Sequence, residues 1–343
     1  MREVVIVGAG VAGLSLARAL AASGVETLIL DKSRGVGGRA ATRRVEGQPV
    51  DHGVAFLHGS HPKFLAALDA VEATPLEGWP LRVRGEGRPC QPRAFRKGER
   101  RLAFAEGVTA FPKSLARGLD VRQGVRVTSI AERADGVEAE LEGGEPVFAR
   151  NLVLALPLEQ AEKLLAPLAS ESDALRPIAS LLSMMTTEPC LTLLAGYPLD
   201  AAPTGEPDWD LLYPSEDSVS MLVAHDSAKR KEKKWRVLVY QCRSCFSRRH
   251  LEDDPEVWTP LVLSDASRLL GDWAGRPLWR EPHRWRYSRV DAANTLAQPF
   301  WIPLENRARI GIGGEVFTPG GGVEGAFLSG LRLAERILGD KVE

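Results

Sequence analysis

Apolar residues run unbroken from Val4 to Val7 and stop at Gly8. They return from Gly13 to Ala22 at helical spacing, until Gly24 ends the pattern. A second apolar run, Thr27 to Leu30, follows. Two short buried strands around one helix predict a β-α-β unit whose glycines sit at the strand-to-helix turn. From Leu76 to about Arg101 the pattern dissolves into Pro, Gly and Arg with scattered aromatics, which predicts hairpins outside that unit. Helical spacing resumes at Val108 to Leu119. "VRVTSIAERADGVEAELEGGEPVFARNLVLALP" then alternates strands with polar turns and ends in an apolar strand before Pro157. Between Leu158 and Pro299, strands are predicted at Cys190 to Ala195, Ser218 to Ala224 and Val237 to Cys242, with a helix near Trp258 to Leu270. "ARIGIGGEVFTPGGGVEGAFLSGLRLAERIL" closes with a strand, a glycine-rich turn and a helix. The pattern implies an α/β fold. A discontinuous Rossmann-like domain takes residues 1–75, 102–157 and 300–343, and an inserted α+β domain takes 76–101 and 158–299.

Composition narrows the partners. Lys plus Arg number 44 against 45 Asp plus Glu among 343 residues, so no global field draws the chain to nucleic acid or an anionic membrane. Small molecules are the expected partners. Gly, Pro or charge breaks every apolar stretch well before the ~20 residues a membrane span requires, and the first apolar run leads straight into a glycine motif rather than a cleavage site. The expected compartment is the cytoplasm. Four cysteines make no disulfide scaffold. Cys242 and Cys245 read as two strand-associated thiols rather than a zinc or redox site, and no metal motif is seen. "KRKEKKWR", Lys229 to Arg236, reads as a solvated loop.

Gly8, Gly10 and Gly13 form G-x-G-x-x-G. The first permits a tight turn, the second lets backbone approach a pyrophosphate, and the third lets helix pack on strand. The diphosphate then meets unpaired amides at the positive end of the helix. Asp31, ending the second strand, is placed to accept from ribose hydroxyls. This motif leaves NAD and FAD open, and downstream residues favour FAD. Gly37, Gly38 and Arg39 supply a second glycine turn with a cation; Asp51, His52 and Gly53 supply backbone for a flat ring. Glu315 is placed for a ribityl chain. The amides from Val323 to Ala326 open the last helix toward a flavin, where a helix N-terminus favours the reduced ring's negative charge. Ala12, Lys32 and Val127 complete the expected cofactor-binding set.

These motifs resemble the flavin-containing amine oxidases, through "VIVGAGVAGLSLA", "GGR" and "GGE…GAFLSG". More closely the chain resembles the renalase-like proteins, through "DKSRGVGGRAATRR", "DHGVAF", "AHDSAKR" and "HRWRYSRVDAAN". The resemblance implies an FAD domain of the para-hydroxybenzoate hydroxylase type with an inserted substrate domain. It also implies an oxidase of 2-dihydro isomers of NAD(P)H, in which hydride passes to flavin N5 and oxygen takes the electrons, giving NAD(P)+ and hydrogen peroxide. Ala55 and Phe56 stand where that family has Gln-Tyr, and Gln241 stands where some members have histidine. On this reading the catalytic candidates are Trp285 as a wall for a flat ring, Arg286 for a phosphate or carboxylate, and His52. Arg93, Arg96 and Lys229 are further cations for a dinucleotide substrate; His225 and Asp226 read as structural. The FAD is expected to be non-covalent, because "GGEVFTPGGGVEGAF" has no cysteine or histidine where related amine oxidases attach theirs. The alternative is oxidation of an amine or other small metabolite on the same flavin. An idle FAD-binding protein is the third reading.

Overall fold

The computed structural model describes residues 1–202, 207–290 and 295–339. The first strand, Arg2–Val7, lies between Thr27–Asp31 and Val147–Leu154 and is parallel to both. Its side chains explain the unbroken apolar run. Val5 and Val7 enter one core with the Leu158–Glu171 and Arg176–Ser183 helices; Val4 and Ile6 enter another with Val11–Ala22 and Gly322–Gly339. A strand buried on both faces has no use for a polar alternate position. The sheet extends through Asp120–Gln123 at one side. At the other, Val147–Leu154 pairs first with Gly136–Leu141 and then with Arg309–Ile312. The closing segment of the chain therefore returns beside its start.

A six-stranded sheet forms from Trp279–Val290, Thr187–Tyr197, Arg236–Cys242, Ser220–His225, Leu211–Leu212 and Val83–Arg84, in that order. The Pro255–Leu270 helix covers one face through Trp258 and Val262. The other face packs on Val45, Val50, Ala55 and Phe56. The join between the two sheets thus runs through "DHGVAF".

Two sequence expectations change. Residues 76–101 form no local hairpins: Pro75–Glu77 pairs with Arg100–Phe104, and Val83–Arg84 adds to the six-stranded sheet. The segment holds no two adjacent alternating runs, so its strands find partners far along the chain. The helix expected over Val108 to Leu119 is confined to Ala110–Ala116, and Gly118 just beyond it lies at φ 76. A left-handed residue ends a helix. Among the described residues no helix is long and apolar enough to cross a membrane.

Candidate functional site

The two glycine turns, about thirty residues apart in sequence, make one cradle. Gly37 N donates to Ala9 O at 2.8 Å, and Gly10 pairs with Gly37 as an isolated parallel bridge. Gly13 is required by the packing itself, since a Cβ there would lie 2.1 Å from Gly8 O. Gly10 differs: a Cβ would meet no protein atom within 4 Å, so the bare backbone faces open space. The Val11–Ala22 helix begins there with no side-chain cap and no acidic residue in its first turn, leaving the amides near Ala12 for an anion. Asp31 braces the turn, accepting from Ala9 N at 2.6 Å and Ser33 N at 2.7 Å. Each carboxylate oxygen keeps a lone pair for a ribose hydroxyl. Val125 N donates to Asp31 O at 2.9 Å, which brings the start of the Val127–Arg133 strand near this acid. Lys32 follows Asp31 at the surface, and its ammonium is held below its usual range by burial of its stem and by Arg126. An open backbone turn, an uncapped helix and a ribose-height acid fit a dinucleotide such as FAD.

The hairpin of Thr42–Val45 and Gln48–Asp51 carries the chain back to this cradle. Val54 N donates to Arg39 O at 3.0 Å and His52 N to Ala41 O at 3.2 Å. Gly53 has no room for a side chain: a Cβ would lie 1.9 Å from Arg39 O and 3.4 Å from Trp285 Cζ2. Across the join, Trp285 Nε1 donates to His52 O at 2.9 Å and Gln241 Nε2 to Gly53 O at 2.5 Å. Two successive carbonyls are therefore gripped from the second sheet. Arg39 Nη1 bonds Glu315 Oε1 at 2.5 Å and Ser288 O at 3.0 Å, so Glu315 is engaged by a protein cation beside the cradle. Val323 and Ala326 stand in the first turns of the Gly322–Gly339 helix, half-buried.

Three rings close the join. The His52 imidazole stacks on the Trp285 indole at 5.3 Å between centroids; His283 meets His52 edge-on at 4.7 Å and Trp285 at 4.3 Å. His283 escaped the sequence reading, although it lies two residues before Trp285 and hence on the same strand face. Burial, reinforced by His283 and Arg43, lowers the His52 pKa to about 3; burial and Arg43 lower that of His283 to about 4. Arg43 Nη2 donates to His283 Nδ1 at 3.1 Å, which fixes the ring proton on Nε2. Both imidazoles are neutral at pH 7. Their folded pKa values lie below the unfolded value of about 6.5, so their contribution is complete above that value and is lost as pH falls through it. Moving from pH 7 to pH 5 is expected to cost roughly 1–2 kcal/mol for each ring. Urea unfolding at the two pH values checks this, and the loss should shrink in His52→Asn.

Arg286 is not brought into this cluster. It lies on the opposite face of its strand, exposed and bonded to Glu252. Of the other expected cations, Arg93 is taken by Glu324 and Glu99, and Arg96 is exposed. Lys229 overturns the solvated-loop expectation: it is fully buried, its ammonium 2.7 Å from both Asp51 Oδ2 and Asp226 Oδ1 and 2.6 Å from Ala55 O. Arg230 and Arg236 are buried too, and Lys231, Glu232 and Lys234 are exposed. The run holds seven charged residues beside Trp235, but only tertiary partners decide which charges can be buried. Asp226 thus belongs to a buried ionic cluster, and His225 is buried at the end of its strand. Cys242 ends a strand, buried, whereas Cys245 is exposed in the short Ser244–Arg249 helix rather than on a strand, and both thiols are free. Of "HRWRYSRVDAAN", the stretch 291–294 lies outside the described residues.

Residues 6–71 match the NAD(P)-binding Rossmann-like domain, and residues 90–338 match the family described as flavin containing amine oxidoreductase. Pseudooxynicotine dehydrogenase of Pseudomonas sp is 37% identical over 60 residues, an alignment spanning 18% of this chain and 12% of that protein. The chain thus matches about an eighth of that relative's length. Wild-type putrescine oxidase bound to putrescine superposes with a TM-score of 0.71 at 15% identity, covering 98% of this chain and 99% of that one. Cyclohexylamine oxidase from Brevibacterium oxydans IH-35A gives 0.71 at 15% identity with complete coverage of both, 100% and 100%. At such identities the likeness is one of fold.

Proposed function

The chain belongs to the flavin containing amine oxidoreductase family, with FAD as its cofactor, and on that premise we propose that it oxidises a small amine with oxygen as acceptor. The observation that carries this reading is the wall of His52, His283 and Trp285 beside the nucleotide cradle. The family and its structural neighbours, named for putrescine and cyclohexylamine oxidation, support it. Bound FAD supplies a two-electron acceptor. The chain's part is placement. Aromatic faces attract an ammonium group and then hold the neutral amine in a dry setting. Neither imidazole can take the amine's proton, because each is a poor base at its lowered pKa. The substrate must therefore shed its own proton, and kcat/KM is expected to rise with pH up to the amine's pKa. A rise centred instead near pH 4 would assign the proton to a ring of the wall.

The dihydronicotinamide reading rests on one feature, a flat indole in a site without a base, which suits a donor driven by aromatisation. Three of the four cations it would draw on are committed to carboxylates. Anaerobic mixing with amines and with borohydride-generated NADH isomers decides between the two readings. The class that bleaches the flavin is the substrate class. In either case Trp285→Ala is expected to keep FAD and slow flavin reduction about tenfold, equivalent to ~1.4 kcal/mol of lost orientation. Trp285→Phe keeps a ring but loses the bond to His52 O, and should fall between. An unchanged reduction rate with a lowered melting temperature would place Trp285 in the core alone. Denaturation is expected to release all yellow colour into the supernatant, as non-covalent FAD requires.

A further inference from the structure

Arg289 carries a half-buried guanidinium with no anionic partner among the described residues. Its Nη1 lies 2.5 Å from Met221 Sδ, and the thiol of Cys90 is a further hydrogen-bonding neighbour. Thioether and thiol are weak acceptors, whereas a guanidinium presents five donors in a planar fork. Its cross-strand neighbour Glu188 pairs with Arg248 instead, at 2.5 Å. Among the described residues no carboxylate lies within ion-pair distance of Arg289. Removing a guanidinium from water without an anion is costly.

The position is as informative as the missing partner. Ser288 O, one residue before, is bonded by Arg39 at the cradle, and Trp285, four residues before, bonds His52 O. The strand between them borders the join of the two sheets. Arg289 acts electrostatically on Cys90, Cys190 and Tyr213, and Cys190 stands opposite Trp285 in the register. Tyr213 donates to Gln91 Oε1 at 3.2 Å, so its hydroxyl is a neutral neighbour. Arg101, the second cation acting on Tyr213, is held by Gly78 O, Ala94 O and the Phe95 ring.

We propose that Arg289 is a substrate-recognition residue that receives a carboxylate, so that the substrate carries an acid at one end and its oxidisable group at the other. The second half of this statement rests on the amine reading above; the first does not. Four residues of strand span at most ~13 Å, so the two ends fit a small amino acid or an aminoalkyl benzoate rather than a polymer. A bidentate bond from the guanidinium would supply the orientation.

The test uses holoenzyme titrated with benzoate and with benzamide, followed by the flavin difference spectrum. Benzoate is expected to bind at least ~10-fold more tightly than benzamide to the wild type, and Arg289→Gln to abolish that preference with an unchanged melting curve. If Arg289→Gln melts early, Arg289→Lys, which keeps the charge but not the fork, should still weaken benzoate several-fold while leaving benzamide alone. Equal binding of the two ligands by the wild type, or benzoate binding unmoved in both variants, overturns the proposal. Anaerobic reduction by 4-(aminomethyl)benzoate and by benzylamine forms a separate arm. If neither bleaches the flavin the amine reading fails, and the benzoate titration still decides Arg289.

Discussion

Lys229→Met is expected to destabilise the folded chain by about 3–5 kcal/mol, the usual cost of removing one partner from a buried ion pair. The ammonium is completely buried against Asp51 and Asp226, lies 4.4 Å from the centre of the Trp79 ring, and bonds Ala55 O. Without it, two buried carboxylates share only Arg230, at 3.6 and 3.4 Å. Burial alone would raise the Asp51 carboxyl, yet Lys229 and Arg230 hold it below the ordinary range; for Asp226 the burial penalty wins and holds it above. Loss of the ammonium raises both. A carboxylate raised in the folded state contributes most when protonated, so the gap between variant and wild type should be larger at pH 8 than at pH 5. Asp226→Asn added to Lys229→Met should recover part of the loss. Urea unfolding of the three proteins measures it, and a variant within 1 kcal/mol of wild type would mean that Arg230 alone balances the cluster.

Asp31→Ala is expected to weaken FAD binding by about 1.5–3 kcal/mol, the range for hydrogen bonds to a charged group, or roughly 10- to 150-fold in Kd. The same carboxylate braces Ala9 and Ser33, so the turn loosens as well. Asp31→Asn, which keeps one acceptor oxygen, is expected to lose less. FAD fluorescence quenching on titration with apoprotein gives both constants. Unchanged affinity in Asp31→Ala would move the ribose contact to another residue.

The two effects differ in how visible they are in the chain. Asp31 ends an apolar run at a fixed distance from three glycines, so a local pattern is enough to find it. Lys229 sits in a run of basic residues and reads as solvent-exposed. Its burial follows from Asp51, far upstream, and from Asp226 on the turn after the Ser220–His225 strand. Strand periodicity likewise says that His283 and Trp285 share a face and that Arg286 does not, but says nothing of what that face meets.

By itself, then, the sequence determined what is local: the β-α-β unit, the glycine turns, the acid after the second strand and the strand–turn–helix at the end. In these the chemistry depends on backbone conformation, which a few neighbouring residues dictate. Only the tertiary structure decided that the two glycine turns form one cradle and that His52 lies under Trp285. It also decided that Gln241 and Trp285 grip adjacent carbonyls, that Lys229 is buried, and that Arg289 meets no anion among the described residues. Each depends on contacts between segments that are not neighbours in the chain, and whether a polar group is buried or paired is a property of its surroundings rather than of its residue type.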